Sequence, residues 1–212
     1  MFLTRAIGRT TVAALALCGL AGCGGSGSST AAPQQGTLRM QLTDAPFSTD
    51  SVQSVNVFVV RVDGRMAAAD SAAADSATAG DSASANGWTT LATPNDTVDL
   101  LSYQNGNTMS LGNAALAAGN YSGFRLVIDP TKSDVVLKNG MVLTGSSSPG
   151  IMFPSGSRSG IKINLSSPLT IAANDTTTML IDFNVGGSFV LRGNTIMQNG
   201  LLFKPVIQAT IQ

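Results

Sequence analysis

Every one of the twelve acidic residues in this chain is an aspartate, and lysine occurs only four times. Glutamate and lysine are among the better helix formers, so few residues here can hold an exposed helical face together. The chain is rich instead in glycine, serine, threonine, asparagine and valine, which favour strands and turns. Little helix is expected.

The strand signals follow in order. Leu38, Met40 and Leu42 alternate with polar neighbours over 37–43, as in a half-buried strand, and Asp44-Ala45-Pro46 ends it. Residues 52–62 are apolar on both faces and predict a central strand covered on each side. A short strand is expected at 88–91, and 96–103 reads either as a strand or as one helical turn. Phe124, Leu126 and Ile128 mark another strand. Segments 135–138 and 141–144 flank Asn139-Gly140, a strong hairpin signal, and Asn199-Gly200 repeats it between 195–198 and 201–211. Between the two lie 161–165, 169–173, 177–185 and 188–191, each strand-like and bounded by turn residues. About ten short strands with turns at close intervals predict an all-β, mostly antiparallel β-sandwich or barrel.

Ahead of this domain, Arg5 and Arg9 precede an apolar segment over 11–20, the arrangement of a signal peptide and too short to span a bilayer. Leu20-Ala21-Gly22-Cys23 follows, and it resembles the lipobox of bacterial lipoproteins, in which the cysteine is acylated and the preceding peptide removed. Residues 1–22 are thus expected as leader, with 23–35 as the lipidated cysteine and a flexible, disordered tether. The β-sandwich domain would occupy 36–212. Gly24 stands where inner-membrane lipoproteins often carry aspartate, so the outer membrane is the expected address. Within the domain, 67–87 repeats Asp-Ser-Ala and lacks large apolar groups, which predicts a disordered loop. Asp70, Asp75 and Asp81 in that tract lack the alternate-residue spacing of a compact calcium loop.

Composition also excludes chemistry. Without histidine there is no Ser-His-Asp or Cys-His constellation and no histidine zinc site. Without the leader the chain carries ten basic and twelve acidic residues, and no basic patch interleaved with aromatics appears, so nucleic acid is not an expected partner. Only Cys23 would remain after removal of Cys18, which leaves no intramolecular disulfide. No cofactor or metal is implied.

Two resemblances rest on particular residues. Leu116, Gly119 and Tyr121, leading into the strand of Phe124, resemble the tyrosine corner of Greek-key sandwiches and of transthyretin-like domains, where the hydroxyl bonds to the upstream backbone. More broadly, an ordered set of pieces runs along the chain. It comprises Thr43-Asp44-Ala45-Pro46, Gly119-Asn120-Tyr121 with Arg125-Leu126, and Pro154-Ser155-Gly156 with Ser159-Gly160-Ile161-Lys162-Ile163, then Asp182-Phe183 and Lys204-Pro205-Val206-Ile207. The set resembles a bacterial lipoprotein family known only as a domain of unknown function. That resemblance implies an immunoglobulin-like or transthyretin-like sandwich and no activity. Many relatives carry Asp-Phe-Asp where this chain has Asp182-Phe183-Asn184, so a carboxylate useful to a cation is missing.

For function, Asp44, Arg125, Ser155, Ser159, Lys162 and Asp182 are the candidate polar cluster, with an internal ion pair as the structural alternative. Ser159 and Lys162 have the serine-x-x-lysine spacing of β-lactamases. They fall on a strand, where residues three apart point to opposite faces, and the companion motifs are absent. Trp88 and Phe153 are candidates for a sugar platform or for the core. The expected function is a lipid-anchored envelope protein that is not an enzyme and presents a binding or scaffold domain, with a protein or glycan as partner. A small-ligand or glycan-binding module, with or without calcium, is the second expectation, and a histidine-free hydrolase the third.

Overall fold

The computed structural model describes residues 34–46, 50–67, 87–154, 160–165 and 167–212, all within one unit spanning Ala31–Gln212. The leader, Cys23, nearly all of the tether, most of the Asp-Ser-Ala tract, and Ser155 and Ser159 lie outside the described residues.

The fold is all-β. Its strands are β1 (Gln35–Thr43), β2 (Val52–Met66), β3 (Thr89–Ala92), β4 (Asp96–Asp99), β5 (Met109–Ala117), β6 (Gly119–Ile128), β7 (Asp134–Leu137) and β8 (Val142–Leu143). They continue with β9 (Ile151–Met152), β10 (Ile161–Leu165), β11 (Leu169–Ile171), β12 (Thr176–Phe183), β13 (Phe189–Leu191), β14 (Leu201–Phe203) and β15 (Ile207–Ile211). One large sheet runs β5-β1-β12-β15-β10-β6-β2-β7-β8, with β11 also on β6 and both β3 and β4 also on β2. A second sheet runs β13-β14-β9. Pairing is mainly antiparallel; β1 with β12, β10 with β15, and β14 with β9 are parallel.

Alternation decides which side of each strand faces the core. Leu38, Met40 and Leu42 of β1 point inward with Met179, Ile181 and Phe183 of β12, and join Phe124, Leu126 and Ile128 of β6 in one apolar cluster. Burying each such side chain contributes about 1.5–3 kcal/mol relative to leaving it exposed. On β2, Val55, Val57 and Val59 are buried while Asn56, Phe58 and Val60 are half-buried, so its second face is only partly covered. It is nonetheless central, with β6, β7, β3 and β4 along its edges.

The segment 96–103 contains both of its predicted forms, since β4 runs directly into a 3₁₀ turn at Leu100–Tyr103. Asp99 drives the change by accepting the N–H groups of Leu101 (3.2 Å) and Val55 (3.1 Å). At Asn139-Gly140 the expected hairpin forms, with Leu137 N–H on the Met141 carbonyl at 2.8 Å.

The expected second hairpin needs correction. Ile196–Asn199 is a helical turn, not a strand, and Gly200 closes it with φ +70°. A side chain at Gly200 would collide with the Gly150 carbonyl, to which Leu201 N–H donates at 2.9 Å. The antiparallel partner of β14 is β13, across a longer connection, and Lys204-Pro205-Val206 separates β14 from β15. Residue 185 likewise leaves its predicted strand to begin the helical turn α1 (Val185–Ser188); Ile196–Asn199 is α2.

Candidate functional site

Asp44 and Asp182 come together where β1 and β12 end. Thr43 and Asp182 are register partners, so the next residue of β1 enters the space beside that carboxylate. Asp44 is 3% exposed and accepts the Val185 N–H at 2.9 Å and Gln104 Nε2 at 2.9 Å. Its own N–H donates to the Tyr103 carbonyl at 3.0 Å, and Thr43 Oγ1 donates to the same oxygen at 2.9 Å. The Thr-Asp-Ala-Pro stretch is therefore a latch that joins β1, the 3₁₀ turn and α1. Loss of solvation pushes the Asp44 carboxyl up to about 6; the hydrogen bonds oppose this and the Asp182 charge reinforces it. Burial also raises Asp182, against a hydrogen bond from the Ala45 N–H. Asp182 Oδ1 is buried with no hydrogen-bond partner among the described residues.

Asn184, at the position expected to matter for cations, has a different task. Its Oδ1 accepts the Gly187 N–H at 2.7 Å and so caps α1. Asparagine and aspartate serve almost equally well at such a position.

Arg125 and Lys162 form a separate group. They are register partners on β6 and β10, whereas Asp182 lies beyond β15, three strand spacings or roughly 14 Å from β6. The polar cluster drawn from linear motifs thus divides in two. Arg125 finds its carboxylate in Asp63, which the motif reading passed over: Nε to Oδ2 is 2.8 Å. Arg61 also reaches Asp63 at 3.0 Å, and Thr90 Oγ1 donates to it at 3.0 Å. The Asp63 side chain is 2% exposed, so this pairing is mostly removed from water. Its signal was the Asp63-Gly64 pair that interrupts the apolar run of β2.

Trp88 lies across this group. The Arg125 guanidinium is 4.6 Å from its ring centroid and that of Arg65 is 5.2 Å away. The indole fits because position 123 is glycine, where even a Cβ would stand 3.2 Å from the ring. Gly160, at φ +93°, opens β10 where a Cβ would lie 2.7 Å from Arg125 Cδ. Beside Trp88 runs a groove of about 450 Å³ lined by Arg65, Ser122, Lys162, Asn164 and Ser167. A second groove of about 350 Å³ adjoins it and shares Lys162 and Asn164.

The other expected residues have structural surroundings. Tyr121 donates its O–H to the Ala117 carbonyl at 3.2 Å across the turn that contains Gly119, and burial raises its phenol. Phe153 packs on Phe203 with ring centroids 5.2 Å apart and lines a different groove, of about 760 Å³, with Thr131, Ser146 and Arg192. Neither Asp44 nor Asp182 lines any of these three grooves. Among the described residues no group of three metal-ligating side chains forms.

The family model of a domain of unknown function, DUF4382, matches residues 35–205. The chain belongs to that family. The DUF4382 match begins at the first residue of β1 and ends at Pro205, so it contains the latch, the tyrosine turn and the Trp88 groove. No curated protein and no solved structure matches the chain.

Proposed function

We propose that this DUF4382 protein is a lipid-anchored component of a bacterial cell envelope whose β-sandwich presents a binding surface and performs no catalysis. The observation that carries the anchor is Cys23 in Leu20-Ala21-Gly22-Cys23, directly behind an apolar leader. Small and polar residues separate that cysteine from β1, which begins at Gln35, a composition that suits a tether. Gly24 favours the outer membrane. Acyl chains contribute about 0.8 kcal/mol per buried methylene, and more than one chain is needed for stable anchoring. A sandwich is supported by the strands of the large sheet, whose inward residues meet in one cluster. The non-catalytic reading is supported by the seclusion of the coupled carboxylates Asp44 and Asp182 from the three grooves.

The test is membrane fractionation of cells expressing the chain, with a Cys23→Ala variant beside it. The proposal expects the native chain in the membrane fraction after high-salt washing and the variant released from it. A native chain that washes off would overturn the anchor.

A second reading, a glycan-binding module, is favoured by one observation: Trp88 borders a groove that also carries amide and hydroxyl groups from Asn164, Ser122 and Ser167. Aromatic faces and hydrogen-bonding groups together suit sugar rings.

A further inference from the structure

The charged side chains that line the two adjoining grooves, among the described residues, are both cations. Arg65 and Lys162 line them, Arg125 lies against Trp88, and among the described residues the carboxylate beside this group is Asp63, which also holds Arg61. That carboxylate is fully occupied, since Arg61, Arg125 and Thr90 all use it. Arg65 and Lys162 are exposed and form no ion pair among the described residues. Without the leader the chain has ten basic and twelve acidic residues, so two cations lining one track mark the sign of what it meets.

The lining narrows the class of ligand further. Asn164, Ser122 and Ser167 offer hydrogen bonds and Trp88 offers ring surface, while none of the exposed large apolar side chains, Val142, Met152, Val190, Leu191 and Met197, borders either groove. Apolar lining is present as well, from Trp88, Phe124, Leu165 and Pro168, and it suits the faces of sugar rings that carry polar groups at their rims. The two grooves share Lys162 and Asn164, so the track is elongated and suits a chain of units better than a single small molecule.

We propose that the track beside Trp88 binds an anionic polysaccharide, with Arg65 and Lys162 meeting its carboxylate or sulfate groups and Trp88 contacting a sugar ring. This inference rests on the glycan-binding reading above and names its ligand class. Arg125 and Asp63 position Trp88 and are not themselves the contacts.

The experiment follows Trp88 fluorescence in the full-length protein in detergent micelles. Trp88 is the sole tryptophan of the chain, so the signal reports the site directly. The probes are polygalacturonate and dextran sulfate as anionic glycans, unmodified dextran as the neutral one, and polyglutamate as a polyanion without sugar. The expected result is a saturable change with at least one anionic glycan, at least tenfold weaker with dextran and with polyglutamate. The double variant Arg65→Gln/Lys162→Gln, both sites being exposed, should keep its melting temperature and lose at least tenfold in affinity. Equal binding of dextran and dextran sulfate would overturn the anionic class and leave the glycan reading standing. Equal binding of polyglutamate would show that the track responds to charge alone and overturn the inference. No response to any glycan would remove both this inference and the reading on which it rests.

Discussion

The Tyr121 hydroxyl bonds the Ala117 carbonyl from a position 5% exposed, so removing it leaves an acceptor with no ready replacement. Tyr121→Phe is expected to cost about 1 kcal/mol and to lower the melting temperature by a few degrees; an unchanged melt would contradict the role. Asp44 yields a pH prediction with a definite sign. Its folded carboxyl lies near 6, above the unfolded value of 3.8, so the folded state holds more protons between those limits. The contribution is therefore fully present below about pH 4 and is lost as pH rises through about 6. Thermal melts from about pH 4 to 8 should show Asp44→Asn gaining stability relative to the native chain as pH rises. A pH-independent difference between the two would show that Asp44 does not titrate in this range. Asp44→Ala removes the acceptor of both Val185 and Gln104 and is expected to destabilise by about 1–3 kcal/mol at any pH.

Among the elements, β10 depends on how Gly160 starts it. Alanine there would have to adopt φ +93° with its Cβ against the Arg125 stem. Gly160→Ala is expected to cost on the order of 1–2 kcal/mol and to move Arg125 away from Asp63, visible as altered Trp88 fluorescence. A native spectrum and melt would contradict this. Much at this scale was legible in the chain itself: alternation marked β1, β10 and the Phe124-Arg125-Leu126 part of β6, and Asn139-Gly140 marked its hairpin, because burial on one face imposes a period of two. Other features had no local signal. Strand β5 is built from Ala, Gly, Asn and Ser with few large groups, so its alternation carries little contrast. Asn199-Gly200 looks identical in sequence to the first hairpin and behaves differently because Gly150 lies against it. Asp63 joins Arg125 only once β2 pairs with β6, a contact no linear motif contains.

At the scale of the whole molecule, the proposed anchor rests on sequence alone, whereas the proposed binding surface depends on how the strands are ordered in the sheet. The proposed anchor at Leu20-Ala21-Gly22-Cys23 rests on a linear motif, because signal peptidases and acylating enzymes act on unfolded chain. The candidate site was only half readable: its charged residues could be named, but the division into an Asp44–Asp182 latch and an Arg125–Lys162 surface depends on sheet order. The most direct measurement of the central claim is intact-mass and N-terminal peptide mass spectrometry of the protein purified from bacterial membranes. The account predicts a mature chain beginning at Cys23 whose first peptide carries the added mass of acyl chains. An unmodified Cys23, or a chain that still begins at Met1, would contradict it.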